Sequence, residues 1–167
     1  MMLTHLKFES SEVDLSESFH QSFKKKKAKI LALEGKTDSI IESGSISYSI
    51  FDFNYFGFDL DDALAEDPSK DWGETEFFSW VTSNMRLLQK EIPFLDKLIF
   101  IQELDLQMSK INSKTIELLF DVIRNEHNIY TSVINLDILY DNPKAGLRKI
   151  FKKLGWKELS QKYWLKL

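Results

Sequence analysis

The stretch from Lys97 to Leu167 changes element type in a set order, and that order constrains the fold more than any other part of the chain. Lys97–Leu106 (KLIFIQELDL) reads as a strand and runs into a polar loop, then into a helix beginning near Ser113. Ile129–Leu139 (IYTSVINLDIL) reads as a second strand. It is followed by the helical segment NPKAGLRKIFKKLGW and a closing strand, KYWLKL. Two strands separated by a helix are neighbours in parallel, because parallel pairing needs a crossover connection. The expectation is an α/β protein with a mixed sheet, in which Lys97–Leu106 and Ile129–Leu139 are adjacent, parallel and covered on both sides.

Periodicity places the helices. Ile116, Leu119, Phe120 and Ile123 fall on one helical face, and Leu147, Ile150, Phe151 and Leu154 on another. Asn142 with Pro143 after it forms a start signal, and Gly155 a stop. Upstream, Thr75 is a candidate cap for a helix with Phe77, Phe78, Val81, Met85 and Leu88 on its face, ended by Pro93. Leu3–Val13 reads as a first strand. Ser16 can cap a helix from Glu17 to Gly35 that buries Phe19, Phe23, Ile30 and Leu31, although Ala28–Leu33 also reads as a strand. Asp38–Glu42 and Ser45–Phe53 flank Ser43-Gly44 as the arms of a hairpin, the second alternating Ile46, Tyr48 and Ile50 with serines. Residues from Asn54 to Gly73 read as a long loop.

At 167 residues one domain is expected. There is no cysteine, hence no disulfide, thiol nucleophile or thiolate metal site, and His5, His20 and His127 have no ligand spacing, so no metal is expected. No apolar run approaches a membrane span, and the first residues lack the basic and then apolar regions of a signal peptide; a cytoplasmic protein off the membrane is expected. A net charge of −4 argues against a general nucleic-acid binder. Its acidic excess is concentrated in Asp59–Glu76, while Lys24–Lys27 reads as a solvated helix face.

Glu103 and Asp105 are carboxylates in an otherwise apolar strand. Carboxylates are seldom buried without a partner or a purpose. Strict alternation puts them on the face of Ile99 and Ile101, where burial would raise a carboxyl pKa towards that of a general base. A strand end surfacing into solvent is the other reading.

The order of elements from Lys97 to Leu167, closing on a helix, Gly155-Trp156 and a hydrophobic strand, resembles the C-terminal half of the GNAT superfamily of N-acyltransferases. The resemblance implies a single GNAT-like domain that moves an acetyl or other acyl group from coenzyme A to an amine. It implies that the sheet splays at Lys97–Leu106 and that the pantetheine arm pairs with the opened edge near Leu104 and Leu106. Aligning Leu118-Leu119 with the family's Leu-Leu places Lys110, Ser113 and Thr115 on its pyrophosphate motif, which is Arg or Gln, then Gly, then Gly or Ala. Serine is small, whereas Thr115 is β-branched and crowds the backbone; Lys110 and Lys114 add positive charge beside a helix N-terminus. An ordinary capped strand-to-helix loop would use the same residues.

Two departures bear on catalysis. The tyrosine that protonates the leaving thiolate in many family members, five residues before the turn aromatic, falls on Phe151, and Tyr140 is the nearest substitute. Asn142 stands two residues further from the turn than the family's asparagine. Glu103 is then the candidate base and Tyr140 the candidate acid. The acidic Asp59–Glu76 segment would favour a small cationic amine or a protein lysine as acceptor. The alternative is a GNAT-fold protein without catalysis that acts by binding another protein. A fainter similarity, in Asp71-Trp72-Gly73, Phe77-Phe78-Ser79-Trp80 and His20, is to the toxin-activating lysine acyltransferases; packing explains the same aromatic cluster.

Overall fold

Four consecutive apolar residues, Leu98–Ile101, can be buried only if both faces of their strand are covered, and the fold is arranged around them. The computed structural model describes residues 2–9, 23–33, 39–53, 72–107, 112–140 and 146–167. Among these the strands are β1 Met2–Glu9, β2 Phe23–Leu33, β3 Ile40–Asp52, β4 Lys97–Leu106, β5 Ser132–Asn135, β6 Lys157–Glu158 and β7 Tyr163–Lys166. The helices are α1 Trp72–Ser83, α2 Met85–Glu91, α3 Ser113–His127, α4 Leu136–Tyr140 and α5 Leu147–Lys153. The strands form one sheet in the order β1-β2-β3-β4-β5-β7-β6. It is antiparallel except for β4 and β5, which are parallel as expected and joined through α3. The chain is therefore an α/β protein with a mixed sheet. Among the described residues no helix is long and apolar enough to cross a membrane.

Each face has its own core. Ile99, Ile101, Leu104 and Leu106 pack with Ile116, Leu119, Phe120 and Ile123 of α3 and Phe151 of α5. Leu98 and Phe100 pack with Phe77, Phe78 and Val81 of α1, Leu88 of α2 and Tyr163 of β7. Phe77 lies flat on Phe100, with ring centroids 4.1 Å apart. Fully burying one such aromatic contributes about 1.5–3 kcal/mol. The helical faces read from periodicity are the ones buried.

Gly155 does end α5. Its φ is +89°, Gly155 N–H donates to Lys152 O and Trp156 N–H to Phe151 O. This is a Schellman turn with its hydrophobic contact supplied by Trp156 against Phe151, 5.0 Å between centroids. The Lys166 ammonium donates to the Leu154 carbonyl at 2.6 Å.

Several expectations are corrected. The helix predicted to end at Gly35 is strand β2 over Phe23–Leu33, the alternative that Ala28–Leu33 allowed. Its lysines line a strand rather than a helix face, Lys27 opposite Ser47 and Lys29 opposite Ser45. The hairpin at Ser43-Gly44 is a bulge inside the continuous strand β3. At Gly44, φ is +143° and a Cβ would lie 2.0 Å from the Asp105 carbonyl oxygen. An isolated strand glycine here marks a close backbone approach, not a turn. α1 begins at Trp72, so Thr75 lies within it, and Asn84 interrupts the run before α2 by donating its side-chain amide to Trp80 O at 2.8 Å. The expectations on Ser16, Phe19, His20, Gly35, Lys110, Asn142 and Pro143, and those for residues 54–71, lie outside the described residues.

Candidate functional site at the opening between β4 and β5

β4 pairs with β3 from Lys97 to Leu106, but with β5 only from Ile99 to Ile101, opposite Ser132–Ile134. Beyond that point the two parallel strands part. β5 stops because Asn135 accepts the Asp137 N–H on its own Oδ1 at 3.0 Å, a capping bond that starts α4. Leu136 N–H turns to the Lys162 carbonyl. The strand expected to run from Ile129 to Leu139 is therefore four residues long, and Leu139 and Tyr140 belong to a helix.

A second irregularity falls at the same level. Ser47 is opposite Glu103 and Tyr48 opposite Ile101, so Gln102 is an extra residue in β4. A one-residue slip reverses the face of every following side chain. Leu104 and Leu106 thereby join Ile99 and Ile101 under α3. Glu103 and Asp105 pass to the other face, against expectation, and both are exposed. Ser47 Oγ donates to Glu103 Oε2 at 3.2 Å, and Gln107 Nε2 to Asp105 Oδ2 at 3.0 Å. Glu103 is thus a solvated carboxylate at the mouth of the opening, not a buried one.

The bulge has a neighbour row. Phe100, Val133 and Tyr163 share the face covered by α1 and α2. Alternation brings Gln102 and Asn135 onto it as well. Ile101 is in register with Ile134 and Asn135 with Tyr163, so Gln102, one residue past the last β4–β5 pair, lies at the level of Asn135 and Tyr163 on β5 and β7. Gln102 is 8% exposed and Tyr163 1%. Gln102 Oε1, Gln102 Nε2 and Tyr163 Oη have no hydrogen-bond partner in the fold. The Tyr163 ring is held edge-on by Phe77 at 5.0 Å and by Phe100 at 6.0 Å, with Trp80 tilted at 5.2 Å. Burial, then Glu76 and Asp137, push its phenol pKa well up from 10.0, so it keeps its proton. Glu76 is ion-paired with Lys162. None of these residues has a sequence pattern of catalysis. The one signal for Gln102 is that the apolar positions switch from odd (Ile99, Ile101) to even (Leu104, Leu106) across it.

At the far end of β4 the loop to α3 leads to Asn112, whose Oδ1 accepts both Thr115 N–H at 2.9 Å and Thr115 Oγ1–H at 3.1 Å. The Thr115 amide is thus already occupied, which leaves the Ser113 and Lys114 amides at the helix start. Phe151 is wholly buried against Phe120 and Trp156 and is a core residue. The backbone at Tyr140 closes α4, next to β5. A separate cavity of about 240 Å³, lined by Phe53, Met85, Gln89, Ile92, Phe94 and Leu95, lies at the opposite end of β4, away from Gln102 and Glu103.

No family model matches the sequence, and no curated protein matches it. Among solved structures, the chain is similar to arylalkylamine N-acetyltransferase 2 from Aedes aegypti, with a TM-score of 0.49 and 13% identity over 84% of this chain and 72% of that one.

Proposed function

We propose that this chain is a cytoplasmic, single-domain, GNAT-like acyltransferase that moves an acetyl or other acyl group from acyl-CoA to an amine. The observation that carries the reading is the opening itself: β4 runs five residues past its last pair with β5, from Gln102 to Leu106. Beyond Ile101 this edge of β4 lies outside the β5 ladder, and a strand edge outside a ladder suits an extended, amide-bearing ligand such as the pantetheine arm. The Leu104 and Leu106 side chains are buried in the core, so these residues would offer main chain. Further along, the Ser113 and Lys114 amides, with the charges of Lys110 and Lys114, suit the pyrophosphate. On this reading Asn142 is a further contact for the cofactor, as the resemblance implies.

In the transfer step the amine nitrogen attacks the thioester carbonyl carbon, a C–N bond forms and the C–S bond breaks. Glu103, on the acceptor side of the opening, takes the proton that the amine loses, directly or through water. Tyr140 or water returns a proton to the thiolate. The nearby carboxylates of Asp105 and Asp137 favour a cationic acceptor, a small amine or a protein lysine.

A second reading is a GNAT-fold protein that has lost catalysis and binds another protein. Phe151, fully buried where the family carries its acid, is the observation in its favour. A thermal-shift titration with acetyl-CoA separates the two, since a ligand of the native state raises its stability. A dose-dependent rise in Tm supports the transferase. No rise at millimolar ligand leaves the binding protein.

A further inference from the structure

We propose that Gln102 and Tyr163 are the acceptor-recognising residues, and that the acceptor is an amine which also carries a neutral amide group, such as an amino-acid amide or a peptide, rather than a bare polyamine. The location of the acceptor rests on the acyltransfer reading above; the polar row rests on the fold alone.

Three polar atoms, Gln102 Oε1, Gln102 Nε2 and Tyr163 Oη, are buried without a partner on β4 and β7, the strands on either side of β5. Buried polar groups are almost always hydrogen-bonded, and an unmet group is costly. Among the described residues five buried side-chain atoms lack a partner, and these three lie at the level where β4 leaves the β5 ladder, which makes a ligand the natural source of their missing bonds. The atoms also say what that ligand must present. Gln102 Nε2 and the protonated Tyr163 hydroxyl are donors and need an acceptor oxygen; Gln102 Oε1 needs a donor. A protonated polyamine has donors only and would leave the Gln102 amide N–H groups unmet. An amide supplies a carbonyl oxygen and N–H on adjoining atoms, which is the complement of a carboxamide.

The row is not placed to hold the anionic oxygen of the transfer step. Glu76 and Asp137 act on Tyr163 from α1 and α4, and their charge opposes a developing anion there while attracting a cation. Trp80 and Phe77 wall the phenol on the α1 side, giving the acceptor apolar surface beside the polar pair.

The test compares lysinamide with 1,5-diaminopentane, which lacks only the carboxamide, on the full chain. Lysinamide at millimolar concentration is expected to raise Tm, and the diamine to leave it unchanged. Gln102→Leu and Tyr163→Phe should each abolish the lysinamide shift while keeping the acetyl-CoA shift. Where turnover is measurable, each should raise KM for lysinamide roughly tenfold, the loss of about one hydrogen bond, with kcat within about threefold. Both variants should also fold with an unchanged or higher Tm, because each removes a buried group that the fold does not satisfy. Equal shifts from the two amines, a lysinamide shift that survives in both variants, or a Tm several degrees lower in both would overturn the proposal. Absence of any acetyl-CoA shift counts against acyl transfer instead, and the lysinamide comparison still decides the row.

Discussion

The two halves of β4 obey different rules. From Lys97 to Ile101 the strand holds its register with β3 and, from Ile99, with β5, and Leu98–Ile101 are buried on alternating faces. From Gln102 to Leu106 it keeps β3, loses β5, carries a bulge and alternates exposed with buried residues. The first half is built for stability. The second leaves the β5 ladder and carries two exposed carboxylates at the level where a buried carboxamide and a buried phenol lack partners. On the proposed reading one strand separates holding the fold together from meeting a ligand, and substitutions should sort by half.

The widest gap is expected between stability and turnover. Phe100→Ala removes a ring that is stacked on Phe77 and lies edge-on to Phe51 and Tyr163. It should cost about 4 kcal/mol of unfolding free energy, from lost transfer energy and a cavity that α1 cannot fill, read by urea denaturation. Glu103→Gln should change stability by less than about 0.5 kcal/mol, since the side chain is exposed. It should lower turnover roughly a hundredfold if that carboxylate is the base. A variant as fast as the parent would assign proton transfer to another group, with Asp105 the next to test.

Much of this contrast is legible in the sequence, and the parts that are not share a cause. The apolar faces of α3 and α5, the parallel pair and the Gly155 stop follow from period and local chemistry, because each is set within a few residues. The bulge at Gln102 is also written in the chain, as the odd-to-even switch of apolar positions. Extending one alternation across it puts Glu103 on the wrong face. Ser43-Gly44 has the composition of a turn, yet its conformation is set by Asp105 on the neighbouring strand, sixty-one positions away in the chain. The early end of β5 depends on whether the Asn135 side chain accepts the Asp137 N–H or the chain stays in the ladder, a choice that propensity does not decide. The Gln102–Asn135–Tyr163 row needs the register of three strands and has no local signature.

Two buried tyrosines, Tyr48 and Tyr163, sharpen the comparison. On the α3 face Tyr48 Oη meets His127 Nε2 at 2.7 Å, whereas Tyr163 Oη has no hydrogen-bond partner among the described residues. Burial, the larger cause, and nearby carboxylates raise both phenol pKa values above 10.0. A raised folded value means that the fold keeps the proton after the unfolded chain has lost it. The associated stability is therefore whole below about pH 10 and declines as pH climbs from there towards the folded value, by about 1.4 kcal/mol per pH unit for each tyrosine. Tyr163→Phe should remove its share of this alkaline decline with little change at pH 7. Tyr48→Phe should remove a similar share but lower stability at pH 7 by about 1 kcal/mol, because His127 loses that bond. Identical neutral-pH stabilities for the two variants would contradict the contrast between a satisfied and an unsatisfied phenol.

The smallest expected effect lies at the end of the open half, where the loop enters α3. Asn112 caps the helix through Thr115 N–H and also holds the Thr115 hydroxyl. Asn112→Ala should cost about 1 kcal/mol of stability. It also releases the Thr115 amide, which can then join those of Ser113 and Lys114. If a pyrophosphate lies at this helix start, the variant should bind acetyl-CoA as tightly as the parent or more tightly, despite being less stable. Isothermal titration on the folded variant reads the affinity apart from the stability. Changing Lys110 and Lys114 together to glutamate should do the reverse, weakening binding and flattening its salt dependence while leaving the capped helix intact. Should Asn112→Ala lose affinity and the double lysine variant keep it, the pyrophosphate does not lie at this helix start, and the part of β4 beyond the β5 ladder would have to hold the ligand without it.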